Sequence, residues 1–384
     1  MSEIRVDTIS EKTSGSGTTV SSLVNPNQPF RNIIINGNMA VSQRGDSTGV
    51  TASGYYACDR WNQNISDAGT LSISQDTDVP AGQGFSKSLK LDCTTADASI
   101  ASGSYHRLQQ KIEAQNMAAV ESGSANAKQT VWSFWIKFDN ASGDFCVNVL
   151  NLANSNSRVI AKKFTYASGA GWQKYSFVIP GDTGGNAMPT DNTGEYYMQI
   201  YLQAGSDLTS GTLQTTWGTR DNTNRAVGQT LQLTASTSNN VYLTGCQWEI
   251  GDVATDFEHL PLDVNLQRCQ RYLQQFGSNT VSGVDVTAGG DRLATCMRGS
   301  NNDTTLYADI PLVVSLRNTP TVSVSALNIR QDGTNYDISS FDSVHNFGPI
   351  VYFALTASAN LNVATAAQLR FTGSGGYLRM DAEL

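Results

Sequence analysis

The chain has 384 residues, 39% apolar and only 15% charged, with a formal net charge of −8. That length exceeds one ordinary core, so two domains with connecting pieces are expected. The acidic balance, with no cluster of Lys and Arg, argues against a nucleic-acid partner, and no run of 18 apolar residues offers a membrane-spanning helix.

Small neutral polar residues replace the missing charges, a composition suited to short strands and turns. The six cysteines lie far apart without a C-x-x-C pair, which speaks against a zinc site or a disulfide framework. They read as buried, reduced thiols in a protein that folds in a reducing cytosol. The segment Met1 to Asn27 is polar throughout and is not a signal peptide.

Residues 1–30 read as an attachment segment. Ile4-Arg-Val-Asp-Thr-Ile, with Ile4, Val6 and Ile9 apolar, alternates and could pair as one strand, and Thr13-Ser-Gly-Ser-Gly-Thr-Thr is linker chemistry. A strand so short needs partners from another chain or another protein.

Residues 31–260 alternate at period two in many short runs, among them Val131-Trp-Ser-Phe-Trp-Ile-Lys-Phe and Tyr196-Tyr-Met-Gln-Ile-Tyr-Leu. Gly, Asn, Asp and Ser clusters separate them, so the expectation is a jelly-roll-like β-sandwich. A short helix is allowed only between Gln109 and Val120. In the second run Tyr196, Met198, Ile200 and Leu202 form a core face. Tyr197, Gln199, Tyr201 and Gln203 form the opposite one, alternating rings with amides.

Pyranose rings stack on aromatic faces while their hydroxyls need amide-type partners, so this row is a candidate glycan platform. Trp135 would join it if the two strands share a sheet. The competing reading is a contact with a neighbouring protomer, where Tyr and Trp are also enriched. Trp217, in a long polar loop, is a further candidate ligand contact.

Between 261 and 276 the period changes. Leu262, Leu266, Cys269, Leu273 and Phe276 make an apolar heptad seam, Pro261 suits a first turn, and Gly277 can stop a helix. The seam packs either on its own sandwich or on two other copies about a trimer axis, and spacing alone favours neither. From 277 to 384 the β pattern resumes over a length sufficient for a second, smaller sandwich. The fold class is therefore all-β, two sandwiches joined by a short helix.

Catalytic signals are weak. His106, His259 and His345 have no readable nucleophile beside them, and no two carboxylates can be paired from the sequence. No cofactor is expected. The loop from Gly181 to Glu195 carries oxygen ligands of the kind calcium takes, without EF-hand spacing, and reads first as a solvated turn.

Several motifs together carry a resemblance. Asn32-Ile-Ile-Ile-Asn-Gly-Asn-Met, Ser42-Gln-Arg-Gly and Asp59-Arg-Trp open the first domain. Arg107-Leu-Gln-Gln-Lys-Ile-Glu, Ser133-Phe-Trp-Ile-Lys and Trp172-Gln-Lys-Tyr stand in its middle. Gly245-Cys-Gln-Trp-Glu-Ile-Gly-Asp-Val-Ala-Thr-Asp-Phe-Glu-His, then Cys269-Gln-Arg-Tyr, close it. In this order they resemble bacteriophage tail-fibre and appendage proteins that carry a carbohydrate-binding-module-like jelly roll.

The likeness covers about residues 1–276, and Leu316-Arg-Asn-Thr-Pro-Thr-Val is similar to the β domain that often follows. It implies a non-catalytic homotrimer on the virion, made in the host cytoplasm and joined to a tail or adaptor protein through its amino-terminal segment. A host-surface glycan or receptor would be its target. The alternatives are a decorating appendage that binds no receptor and a polysaccharide hydrolase.

Overall fold

The computed structural model describes residues 30–153, 157–277, 292–298, 304–362, 366–372 and 376–384. The attachment positions Ile4, Val6 and Ile9 lie outside the described residues.

Period-two alternation becomes two antiparallel sheets in the first unit. The six-stranded sheet runs, in spatial order, Ser47–Val50, Thr70–Asp76, Ser88–Thr95, Asn240–Ile250, Thr130–Asp139 and Gln173–Ile179. The seven-stranded sheet runs Gly218–Thr219, Arg158–Tyr166, Gly143–Asn151, Gly194–Ala204, Tyr105–Glu113, Asn62–Ser66 and Gly54–Tyr55. Trp132, Phe134, Ile136 and Phe138 from one sheet meet Tyr196, Met198 and Ile200 from the other, none more than 2% exposed. Each large side chain buried in this way stabilises the fold by about 1.5–3 kcal/mol. Between Gln109 and Val120, the strand runs to Glu113 and a 3-10 helix follows over Ala114–Val120.

The opening and closing motifs, more than 200 residues apart in sequence, interlock through backbone groups. Asn32 Nδ2 donates to the Cys246 carbonyl (3.1 Å), its Oδ1 accepts from Trp248 N (3.0 Å), and its own amide donates to Glu258 (3.0 Å). One buried asparagine thereby satisfies groups on two segments that would otherwise be stranded away from water.

The helix is shorter than the heptad spacing predicts. It runs Leu262–Gln270, with Pro261 at its start as expected. Leu273 and Phe276 instead belong to the strand Leu273–Gly277, which pairs with Tyr377–Asp381. Tertiary strand pairing overrides the local helical spacing there, and Gly277 ends a strand, at φ +102°.

The seam does not form a continuous axis. Leu262 is 54% exposed, Leu266 is half-buried, and Cys269 is fully buried in its own chain with Ile35, Val41 and Tyr272. Within the chain the helix packs Cys269 on its own sandwich and leaves Leu262 exposed.

The second unit closes more completely than a two-sheet sandwich. Arg292–Arg298, Thr305–Pro311, Ile350–Ala357, Thr334–Asn346, Leu327–Gln331 and Ala367–Phe371 form a closed barrel. Closure removes the open sheet edges that invite association. Leu306, Ile310, Ile329, Val351, Phe353, Leu355 and Leu369 fill the interior. A three-stranded sheet of Leu273–Gly277, Tyr377–Asp381 and Thr321–Ser325 links the barrel to the helix.

The end of the strand Tyr377–Asp381 and the residues after it dock on the first unit. Arg44 reaches Asp381 (2.9 Å) and Glu383 (3.4 Å), and Glu383 also pairs with Arg60, whose guanidinium lies 3.4 Å over the Tyr272 ring. Burial alone would lower the Arg44 pKa, but Glu383, Asp381 and Asp59 raise it, so the arginine stays charged.

All six cysteines are unpaired thiols in buried positions, as their spacing suggests. Burial pushes the thiols of Cys58, Cys246 and Cys269 well above their usual range, so they behave as small hydrophobes.

Candidate functional site: an aromatic cleft beside a bulge

The strand Asn240–Ile250 pairs with Thr130–Asp139 from Asn240↔Asp139 to Thr244↔Trp135, then slips by one residue to Gln247↔Ser133. The extra residue makes a β-bulge, and Gly245 takes it in the left-handed region at φ +63°. A Cβ at Gly245 would stand 2.7 Å from the Phe85 ring and 2.8 Å from the Trp135 ring. The bare glycine lets both rings rest on the strand.

Around this bulge lies a cleft of about 270 Å³, with Phe85, Trp135, Phe257 and His259 among its walls. Phe85, Phe257 and His259 form a three-ring cluster with centroids 4.9–5.1 Å apart. Phe85, Trp135 and Phe257 are half-buried, while His259 is exposed with Nε2 3.1 Å from the Gln83 carbonyl oxygen. Four polar residues, Gln83, Ser133, Lys174 and Asp256, are also among its walls. Such an arrangement can stack an apolar ring face while its edge groups exchange hydrogen bonds with hydroxyls. The volume sits near the lower end of ligand pockets, about 300–1,000 Å³, and suits a single sugar unit with its neighbours left in solvent.

The structure separates the residues the sequence grouped together. Trp135 lies on the six-stranded sheet and the Tyr197 row on the seven-stranded one, so they form no common platform. Nor is the row open. Gln199 is 2% exposed and Tyr201 and Gln203 are 0% exposed. Residues from the segment after Ala204 cover them: Leu208 and Ala226 pack with Tyr201, and Arg225 Nη2 donates to Gln199.

A second bulge also breaks the alternation. Tyr201 opposes Arg107, but Gln203 opposes His106, on the side of the Ile200–Leu108 pair, where Thr234 donates to it. Tyr197 alone of the row is half-exposed, with Lys111 Nζ 5.4 Å from its ring centre.

Trp217 is anchored, not loose in a loop. Its Nε1 donates to the Pro180 carbonyl (2.7 Å) and its ring meets Tyr196 edge-on. In the candidate calcium loop, Asp182 is buried against Arg158 (2.8 Å) and Asn151 (2.9 Å). Among the described residues no group of three His, Cys, Asp or Glu is arranged to hold a metal. His106 is buried with a pKa lowered to about 3 by that burial.

Sequence reasoning missed Phe85, Lys174 and the joint role of Phe257, His259 and Asp256. Gly245, Asp256, Phe257 and His259 all belong to the closing motif, which offered a signal; Phe85 offered only its flanking glycines, Gly82 and Gly84.

The chain matches no known family model. No curated protein matches it by sequence. Solved structures similar to it include the enzymatically active domain of tailspike protein 4 of bacteriophage CBA120, at 11% identity and a TM-score of 0.31, over 58% of this chain and 22% of that one. The C-terminal family 22 carbohydrate-binding module of a Clostridium thermocellum protein matches 55% of this chain and 98% of its own, at 15% identity and a TM-score of 0.27. A family 11 carbohydrate-binding module of a cellulosomal cellulase from the same organism gives 11% identity, 55% and 97% coverage and a TM-score of 0.27. Overlap so loose says nothing about ligands.

Proposed function

We propose that this chain is a non-enzymatic component of a bacteriophage fibre or similar virion appendage, and that its first unit binds a host-surface saccharide in the cleft around Trp135. The cleft carries this reading: half-buried rings resting on the bare Gly245, with Gln83, Ser133, Lys174 and Asp256 among the lining residues. The fibre assignment is supported by the ordered motifs from Asn32 to Cys269, together with residues 1–30 as the link to a tail or adaptor protein. A binding rather than hydrolytic role is favoured because Asp256 is the one carboxylate among the residues lining the cleft, whereas glycoside hydrolysis ordinarily uses two. Assembly as a homotrimer is part of the proposal.

The test uses the full-length chain on an array of bacterial surface polysaccharides, with reducing ends measured in parallel and the oligomer sized by light scattering. Saccharide retention without new reducing ends, from a trimer, is the expected result. Release of reducing ends would establish the hydrolase reading. A chain that retains no saccharide would leave the purely decorating appendage.

A further inference from the structure

The buried arginines of this acidic chain fall into two pairs. Arg44 and Arg60 each meet a carboxylate, from Asp381 and Glu383 respectively. Arg107 and Arg225, 8% and 2% exposed, meet none among the described residues. Taking a guanidinium out of water is costly unless an anion compensates it, so a place for an anion beside these two is worth seeking.

Both lie on the outer face of the seven-stranded sheet, where neutral acceptors stand in for an anion. Arg107 donates to Asn64 and to the Tyr201 hydroxyl (3.3 Å), and its guanidinium sits 4.1 Å from the centre of the half-exposed Tyr105 ring. Arg225 donates to Gln199 and, from Nη1, to Asn222 Oδ1 (3.2 Å), while its Nε has no acceptor among the described residues. The exposed Arg220 donates from Nη2 to that same Asn222 oxygen (3.4 Å). A single exposed amide oxygen therefore bridges two cationic forks.

We propose that this face is a binding site for a carboxylate-bearing saccharide, whose carboxylate takes the place of Asn222 Oδ1 between Arg220 and Arg225. A carboxylate there would supply the negative charge the amide lacks and match the planar donor geometry of both forks. Arg107, with Tyr105 and Asn64 as its partners, lies on the same face. Burial lowers the Arg225 pKa to about 10, with Arg107 and Arg220 adding to the effect, as expected where like charges gather without a counter-ion. The adjoining Asp221 carboxylate is occupied by Thr223 N (2.9 Å) and Oγ1 (2.8 Å) and forms no ion pair with these arginines. The site is on the sheet opposite the Trp135 cleft, so either can exist without the other.

Titration calorimetry of the full chain with oligogalacturonate, against neutral galacto-oligosaccharide of equal length, tests the proposal. Arg220→Gln, at an exposed position, is expected to weaken oligogalacturonate binding about tenfold, one lost charged contact of about 1.4 kcal/mol. Arg225→Gln is expected to do the same, and Trp135→Ala is expected to leave this binding unchanged. Failure of oligogalacturonate to bind, or indifference to both arginine substitutions, would overturn the assignment. Loss of binding in Trp135→Ala alone would move the acid to the cleft beside Lys174. Equal binding of inorganic phosphate, with the same arginine dependence, would make this a general anion site and refute the saccharide assignment.

Discussion

Gly245 and Trp135 face each other across a bulge so closely that a methyl group on the glycine would come within 2.8 Å of the indole. Gly245→Ala therefore carries two costs, a left-handed backbone of about 1–2 kcal/mol and displacement of the Phe85 and Trp135 rings. The expected outcome is a lower melting temperature together with loss of saccharide retention. A variant that keeps both would show that the bulge does not set the cleft.

Trp135→Ala separates binding from folding. The indole is half-exposed and lies outside the main core cluster, so its removal is expected to cost about 1 kcal/mol of stability or less. Ring stacking contributes on the order of 1 kcal/mol, so affinity measured by calorimetry should fall roughly five- to tenfold per site. Phe257→Ala should act in the same direction through the three-ring cluster.

How much of this was legible follows the range of each interaction. Trp132, Phe134, Ile136 and Phe138 declared a buried strand face by their spacing, and Trp135 was placed on the opposite side by the same count. Gln203 was misplaced because a bulge between Tyr201 and Gln203 adds a residue that no local pattern marks. The covering of Gln199 and Tyr201 comes from a segment without periodicity, and polar residues on a strand look alike whether water or Arg225 meets them. Phe85 and Phe257 reach one cleft from loops, where no period exists to read. The Leu273 strand was lost to the helix because its partner, Tyr377–Asp381, lies about a hundred residues on.

Glu383 ties the two units together from 323 residues beyond Arg60 in the chain. The Arg60 and Glu383 side chains are 1% and 4% exposed, so removing one charge strands the other. Glu383→Gln is expected to cost about 3 kcal/mol in chemical denaturation and to expose the barrel to proteolysis. The double variant Arg60→Met with Glu383→Leu should recover much of that loss, because no unpaired charge remains between these two positions. An unchanged denaturation midpoint in Glu383→Gln would show that the pair does not hold the units.

His106 gives the fold a defined acid response. Its Nε2 lies 2.8 Å from Gln63 Oε1, an acceptor, so the neutral ring donates there, and Nδ1 is buried without a partner among the described residues. A proton added at Nδ1 would have nothing to bond, and burial holds the pKa at about 3. In the unfolded chain the same ring titrates near 6.5. Above about pH 6.5 both states are neutral and the group adds no pH dependence. As pH falls from there toward 3 the unfolded state binds a proton that the folded state refuses, and stability drops by about 1.4 kcal/mol per pH unit from this group alone. Carboxylates contribute to acid unfolding as well, so the useful quantity is the difference between wild type and His106→Gln. That difference, from urea denaturation at pH 7, 5.5 and 4.5, should shrink steadily as the pH falls and reverse sign if the glutamine is well accommodated. A difference that is constant with pH would show that His106 is not held neutral in the folded protein.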